Sequence, residues 1–252
     1  MSERVLAALD GGVLTATLNR PEKKNAIDTP MIDALLTLLE RADLDSAVRV
    51  VAVRGAGADF CAGMDLNELL ASADKSVEQN RQAALHFAEI FVRMRRIPKP
   101  IVAVVHGRAL AGGCGLATAC DLVLATESAK LGYPEVQRGF VPAIVMTLLK
   151  RTTGEKVAFD LAATGRILGA PEAAGLGLVS RVYEDSDFED QVAEVLRALA
   201  AASPSALAFT KQQFYELDGL RFEDGIRLGA DVNAVSRTTP DFRAALQAFL
   251  KK

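Results

Sequence analysis

Residues Gly107 to Glu135 read GRALAGGCGLATACDLVLATESAKLGYPE. Three glycines in this stretch, Gly112, Gly113 and Gly115, stand where a helix is predicted to begin, and an apolar strand and a turn follow. A glycine-rich helix start exposes backbone N–H groups that bind a developing negative charge. Glu135 supplies a carboxylate in the turn, and a carboxylate can move a proton. The stretch therefore predicts an enzyme site that forms and quenches an enolate.

The composition indicates a soluble globular protein. Half of the 252 residues are apolar, which is enough for one large core or two unequal parts. The net charge is −3 without a dense block of Lys and Arg, which argues against nucleic-acid binding. Three scattered cysteines and two histidines predict neither a disulfide framework nor a metal site. With no signal-peptide pattern and no run of ~20 apolar residues, we expect a cytoplasmic protein without a membrane partner.

Apolar spacing predicts the elements around the glycine-rich stretch. Two runs, Val5–Leu9 and Val13–Leu18, flank Asp-Gly-Gly and predict a β-hairpin. Helical spacing predicts an amphipathic helix at Met31–Ala42, and a buried strand is expected at Val48–Val53. A second helix, stopped by prolines, leads into a strand at Ile101–Val105 and another glycine-bearing turn. This recurrence predicts a stacked repeat of strands and helices.

The loop that begins at Gly55 is a second informative place. It starts like a dinucleotide fingerprint, but Phe60 stands where the third glycine is required, and a leading hairpin does not suit that fold. The alternative is that Met64 presents a backbone N–H at the start of a helix, with Asp65 favourable at its N-terminus. The polar segment 72–82 that follows is expected to be a mobile loop or an exposed helix start.

Several motifs resemble those of the crotonase superfamily, the enoyl-CoA hydratase and isomerase family. They are LNRPEKKNAID at 18–28, FCAGMDL at 60–66, HGRALAGGCGLATACDLVLAT from 106, LGYPEVQRGFVP at 131–142 and TGRILGAPEAAGLGLVSRV at 164–182. The resemblance implies an α/β fold in which repeated β-β-α units wind into a superhelix. It also implies a core with an acyl-CoA site at residues 1–182 and a helical oligomerisation region at residues 183–252.

The resemblance further implies roles for individual residues. The substrate would be an acyl-CoA thioester, with no cofactor besides the coenzyme A that the substrate carries. Backbone N–H groups of Met64 and Gly112 would hold the thioester oxygen, and Glu135 would act as acid and base. The adenine and phosphates of coenzyme A would lie against a set of loop residues, namely Lys23, Lys24, Asn25, Ala26, Ala62 and Asp65. The C-terminal helices would assemble the chain into a homotrimer or a dimer of trimers.

The reaction depends on how many carboxylates face the substrate. Hydratases of this family use two glutamates to hold one water. The resemblance places the second glutamate at Glu135 and the first at position 115, where this chain has Gly115 and therefore no side chain. The wall opposite Glu135, residues 143–146, reads as apolar and is expected to raise the pKa of the carboxyl group. Hydration is the first expectation because it dominates the family, with Glu68 as a possible second water ligand. Double-bond isomerisation by one glutamate is the alternative, followed by a non-catalytic acyl-CoA-binding protein.

Each of these residues also has a purely structural explanation. Glu135 could accept N–H groups of its own turn, and the glycines could allow close helix packing. Met64 could be a core residue, and Lys23 and Lys24 could be ordinary surface charges. His106 follows a buried strand, and no set of partner residues suggests a catalytic triad, so it is interpreted as structural.

Overall fold

The computed structural model describes residues 3–251, and the chain opens there with a hairpin. Strands β1 (Val5–Asp10) and β2 (Val13–Leu18) pair antiparallel, with Asp10 opposite Val13. The two residues between them, Gly11 and Gly12, have φ of +53° and +83°. A two-residue turn with positive φ at both positions matches the twist of the paired strands and favours glycine. The predicted hairpin is therefore confirmed.

Two sheets organise the described part of the chain. The further strands are β3 (Val50–Gly55), β4 (Ile101–Val105), β5 (Arg108–Leu110), β6 (Leu122–Thr126), β7 (Lys130–Gly132), β8 (Ile167–Gly169) and β9 (Arg181–Tyr183). The larger sheet has the order β1-β2-β3-β4-β6-β9 and is parallel after the hairpin. The smaller sheet has the order β5-β7-β8, with β5 and β7 parallel. Every residue of β4 is buried, as expected for a parallel strand covered on both faces.

Helices connect and cover these strands. They are α1 (Thr29–Leu44), α2 (Leu66–Ser72), α3 (Val77–Arg96), α4 (Gly112–Ala119), α5 (Met146–Thr153), α6 (Glu155–Thr164), α7 (Ala170–Gly175), α8 (Phe188–Ala201), α9 (Pro204–Glu216), α10 (Phe222–Ser236) and α11 (Pro240–Leu250). Short 3-10 helices lie at Pro21–Lys23 and Pro134–Arg138. The mixed α/β architecture predicted from the sequence is confirmed.

Local chemistry explains where several helices begin. α2 starts after Asp65, whose carboxylate accepts the N–H of Asn67. α3 starts after Ser76 with a reciprocal capping box to Gln79, so the segment 72–82 contains an exposed helix start, one of the two predicted alternatives. The predicted strand Val48–Val53 lies two residues later as β3, because residues 45–48 form a turn closed by the Val48 N–H and the Asp45 carbonyl.

The larger sheet is covered on both faces. One face contributes to the main core, where α1 and α3 bury apolar residues such as Leu35 and Phe91. The other face lies under α8, whose Phe188, Val192 and Leu196 pack against a cluster that includes Val102. α8 follows the predicted boundary at residue 182, so this first helix of the predicted C-terminal region packs on the core sheet. The division of the chain at that residue stays a prediction.

The last helices differ in how they attach. α9 is tied to the core through Lys211, whose ammonium group lies 2.8 Å from the Asp121 carboxylate, while α10 and α11 bury no residue. Apolar side chains on these two helices are exposed, among them Phe222 and Phe249. Within residues 3–251 no single helix is long and apolar enough to cross a membrane, although α8 and α9, bent by 101°, reach that length and composition together.

Replacing Lys211 by Met is expected to destabilise the fold by about 3 kcal/mol, because it leaves a largely buried carboxylate without its cation. Asp121 also accepts hydrogen bonds from the Ile101 N–H and from the Tyr215 hydroxyl group. Tyr215→Phe, the matched control, removes one of these neutral donors and is expected to cost about 1.5 kcal/mol. Urea denaturation at one protein concentration measures both changes. A Lys211→Met variant as stable as the wild type would contradict the assigned role.

Candidate active site

The smaller sheet brings two distant parts of the chain together. Leu110 of β5 lies opposite Gly132 of β7, and the Ala111 N–H donates to the Gly132 carbonyl at 2.8 Å. Beyond this pair one segment enters α4 at Gly112, and the other enters the 3-10 helix that carries Glu135. Because parallel strands end at the same edge of a sheet, the glycine-rich helix start and the carboxylate lie side by side.

The backbone at the start of α4 leaves an N–H group unpaired. Gly112 is the first residue of the helix, and its N–H has no acceptor among residues 3–251. Ala111 before it has φ +52° and ψ −128°, a conformation that side chains rarely adopt and that neighbouring structure must enforce. A Cβ on Gly113 would overlap the Cys61 carbonyl oxygen, so glycine there allows α4 to approach the loop after β3.

A second unpaired N–H comes from that loop. Ile27 bridges Met64 as a parallel strand does, because its N–H donates to the Gly63 carbonyl and its carbonyl accepts the Asp65 N–H, each at 2.8 Å. This pattern turns the Met64 N–H away from Ile27, and within residues 3–251 it has no acceptor. A Cβ built on Gly63 would lie 3.3 Å from the Gly112 nitrogen, so the two segments are in contact.

Met64, Gly112 and Glu135 line one cavity of about 790 Å³. The apolar segment 140–145 lines this cavity and includes residues 143–145 of the predicted wall but not Met146, and Phe87 lies next to Gly112. Polar side chains lie elsewhere around the cavity, including Thr29, Glu68, Lys75, Arg81 and His86. The described residues contain no group of three or more His, Cys, Asp or Glu side chains that could hold a metal ion.

Glu135 has the properties of an acid/base group. The residue is 8% exposed, and its Oε2 atom has no hydrogen-bond partner among residues 3–251. Burial raises the pKa of its carboxyl group, while its own backbone N–H and the Arg138 charge act in the opposite direction. A carboxyl group with a raised pKa exchanges protons more readily near neutral pH.

The place of a second carboxylate is filled by a valine. A Cβ added to Gly115 would overlap the side chain of Val145, which is 3% exposed. Glu68, the other candidate, lines the cavity, but its carboxylate accepts the N–H and the hydroxyl group of Thr29 at 3.0 to 3.1 Å. Of the two carboxylates that line the cavity, Glu135 is buried and Glu68 is half-buried.

The loop predicted to bind coenzyme A is next to the cavity but does not line it. Lys23 and Lys24 are exposed, and the Lys24 carbonyl accepts the Ala62 N–H at 2.9 Å. The Asn25 side chain is buried and bonds the Arg20 N–H and the carbonyls of Ala56 and Asp59. The predicted contacts of these residues, and of Ala26, with coenzyme A stay predictions.

The Asp65 side chain is also used inside the protein. Its carboxylate is buried and lies 2.9 Å from the Arg20 guanidinium, which is 3.3 Å from Asp28. This ion-pair cluster was not evident in the sequence, and neither were Phe87 as a cavity residue or the contact between Val145 and Gly115. Phe87 was detectable, since it lies four residues before Phe91 on the same helix face.

Comparisons with known proteins find similar sequences and structures over nearly the whole chain. The family described as Enoyl-CoA hydratase/isomerase matches residues 9–252. A Thermus thermophilus protein named "Putative enoyl-CoA hydratase" is 41% identical over 242 residues, which is 96% of either chain. The 1,2-epoxyphenylacetyl-CoA isomerase of Escherichia coli is 31% identical over 254 residues, 100% of this chain and 97% of the relative. The crystal structure of an enoyl-CoA hydratase from Mycobacterium smegmatis is similar with a TM-score of 0.94 and 31% identity, covering 99% of this chain and 97% of that chain.

Replacing Glu135 by Gln is expected to stabilise the folded protein at about pH 8 and to leave its stability unchanged near pH 4. Since burial raises the pKa of this carboxyl group above its ordinary value of 4.5, the folded protein binds the proton more tightly than the unfolded chain does. The stability of the wild type therefore falls as pH rises from that value through the folded-state pKa. Glutamine has no charge to bury, so the variant avoids this loss. Urea denaturation across the pH range measures the difference.

The exposed Glu40 of α1 provides the control for this experiment. Glu40→Gln is expected to give no stabilisation that grows with pH. A Glu135→Gln variant that is no more stable than the wild type at any pH would contradict the pKa direction assigned to the carboxyl group.

Proposed function

Because the chain belongs to the enoyl-CoA hydratase/isomerase family, we propose that it acts on an enoyl-CoA thioester through an enolate and moves the double bond. The predicted crotonase superfamily and the predicted enzyme class, enoyl-CoA hydratase or isomerase, are confirmed. The observation that supports isomerisation is that Glu135 is a buried carboxylate with a free oxygen, while Val145 fills the side-chain space at Gly115.

The proposed first step polarises the thioester. Its carbonyl oxygen accepts hydrogen bonds from the N–H groups of Met64 and Gly112, which have no acceptor in residues 3–251. Such donors need no reorganisation as negative charge develops, and one of them is worth roughly 3 kcal/mol of barrier. The polarised carbonyl acidifies the protons on the neighbouring carbon.

The second step is a proton transfer through one carboxylate. Glu135 takes a proton from carbon 2 of a 3-enoyl-CoA, and the electrons of the broken C–H bond are delocalised onto the thioester oxygen. The protonated Glu135 then donates the proton to carbon 4, and the double bond comes to lie between carbons 2 and 3. The carboxylate is regenerated without any other reactant. Its raised pKa favours both directions of transfer.

The apolar wall supports this choice of reaction. Val141, Ile144 and Val145 line the cavity with Glu135 and offer no hydrogen-bonding side chain to a water molecule. An enolate beside such a wall is shielded from proton exchange with solvent. Water addition, in contrast, needs polar groups that orient the attacking oxygen.

Hydration is the second candidate because Glu68 lines the same cavity. Its oxygens accept hydrogen bonds from Thr29, which leaves lone pairs for a water molecule. In this alternative Glu68 and Glu135 hold the water between them. A non-catalytic acyl-CoA-binding protein would use the same backbone donors without proton transfer.

Coenzyme A is proposed to lie against the loop of Lys23 and Lys24, as part of the substrate and without another cofactor. The support is the hydrogen bond from the Ala62 N–H to the Lys24 carbonyl, which holds two exposed cations near the segment of Met64. A homotrimer or dimer of trimers is proposed from the exposed aromatic residues of α10 and α11. The cytoplasm is the proposed location.

Replacing Glu135 by Gln is expected to lower kcat/KM for a 3-enoyl-CoA by about 10²- to 10⁴-fold, because the group that moves the proton is lost. Glu68→Gln, the matched control in the same cavity, is expected to remain within about threefold of the wild type. The assay follows products in heavy water, where isomerisation leaves an enoyl-CoA and hydration gives a hydroxyacyl-CoA. A wild type that hydrates crotonyl-CoA faster than it isomerises a 3-enoyl-CoA would support hydration instead, and a fully active Glu135→Gln variant would exclude Glu135 as the group that moves the proton in either reaction.

Gly115→Glu alone is expected to destabilise the protein by about 3 kcal/mol or more, because its side chain overlaps Val145 and buries a charge. The double variant Gly115→Glu/Val145→Gly opens the space, since even the Val145 Cβ would lie 2.8 Å from the added Cβ. We expect this double variant to hydrate crotonyl-CoA about tenfold faster than the wild type, as measured by the loss of enoyl absorbance. A Gly115→Glu variant with wild-type stability would show that Val145 does not occupy this space.

A further inference from the structure

A chain of hydrogen bonds lies behind the candidate site. Tyr133, which directly precedes the 3-10 helix of Glu135, is fully buried, and its hydroxyl oxygen lies 2.7 Å from Thr118 Oγ1. Thr118 Oγ1 in turn donates to the Cys114 carbonyl oxygen at 2.8 Å. A threonine hydroxyl has one proton, so Thr118 accepts from Tyr133 while it donates to Cys114. The order of donors in the chain is therefore fixed.

This chain joins the two elements on which the proposed reaction depends. At one end Tyr133 is two residues before Glu135, and at the other end Cys114 is two residues after Gly112. The backbone connection between the segments is the Ala111 N–H and the Gly132 carbonyl, one residue before Tyr133. The Tyr133 hydroxyl group extends that connection to the first turn of α4.

Burial keeps the Tyr133 hydroxyl group protonated near neutral pH, and so keeps its hydrogen bond to Thr118. It raises the pKa of Tyr133 well above its ordinary value, so the hydroxyl group stays a proton donor. A neutral donor in a dry environment also forms a stronger hydrogen bond than it would in water. Phe would fill the same volume, so the hydroxyl group itself needs an explanation beyond packing.

We infer that Tyr133 is a positioning residue, which uses its hydrogen bond to Thr118 to hold Glu135 at a fixed distance from the Gly112 N–H. The inference rests on the proposed function, since the distance matters only if both groups act on one substrate. The reacting carbons lie next to the thioester carbonyl, so the base must reach them while the oxygen stays on the backbone donors. Misplacement by about 1 Å can reduce a rate by roughly 10²-fold.

The test compares variants that remove or keep the hydrogen bond. Tyr133→Phe is expected to lower kcat for a 3-enoyl-CoA by about 10- to 100-fold while KM changes less than about threefold, because substrate binding uses other groups. The acid limb of the kcat profile is expected to move to lower pH, since a loosened segment admits water to Glu135. Thr118→Val, which removes the acceptor, is expected to match Tyr133→Phe, and Thr118→Ser, which keeps it, should match the wild type.

Two further measurements separate positioning from folding and from the proposed function. The double variant Tyr133→Phe/Thr118→Val is expected to be no slower than either single variant, because both remove the same contact. Amide hydrogen exchange at residues 112–116, which needs no turnover, is expected to rise about tenfold in both single variants. Unchanged exchange, or unchanged kcat and pH profile in Tyr133→Phe, would overturn the inference. A wild type without enoyl-CoA activity would refute the proposed function, while the exchange measurement would still test the connection.

Discussion

The pairing of β5 with β7 is the constraint on which the site depends. With Leu110 opposite Gly132, the residues that follow each strand start from a common edge, and the Ala111–Gly132 hydrogen bond carries the alignment one step further. A shift of one residue in this parallel register would turn every side chain of the shifted strand to the other face and separate the α4 start from Glu135. The smaller sheet has only three strands, but its register decides whether the backbone donor of Gly112 and the carboxylate meet.

The site itself consists of groups that the fold leaves unsatisfied. Within residues 3–251 the Met64 and Gly112 N–H groups and Glu135 Oε2 have no hydrogen-bond partner, and Ala111 has a strained backbone. Each such feature costs about 1–3 kcal/mol when buried. The loop that leads to Met64 is held by well-paired polar groups, including the Asn25 side chain, which bonds the Arg20 N–H and the carbonyls of Ala56 and Asp59. The polar network of the neighbouring loop therefore holds in place a region that would otherwise relax.

Patterns that act locally or through a motif were predictable from the sequence. The two glycines of the hairpin and the Asp65 cap act on residues next to them in the chain. The family motifs identified Met64, Gly112 and Glu135, which line one cavity. Packing between distant residues was not predictable, since thirty residues and several turns separate Gly115 from Val145 in the sequence. For the same reason the internal partners of Asn25 and Asp65 were not evident. The sequence identifies a polar residue in a loop, but burial decides whether that residue faces a ligand or the protein.

Val145 changes the meaning of the missing second carboxylate. If Gly115 faced an open cavity, a water molecule could occupy the vacant space and assist hydration from there. The overlap with an added Cβ shows that this space holds a hydrocarbon side chain. An apolar side chain in the cavity of a buried glutamate offers no partner to water, and burial disfavours the charged form of the glutamate. Both effects favour isomerisation, in which the carboxylate takes a proton from one carbon and returns it to another before solvent intervenes.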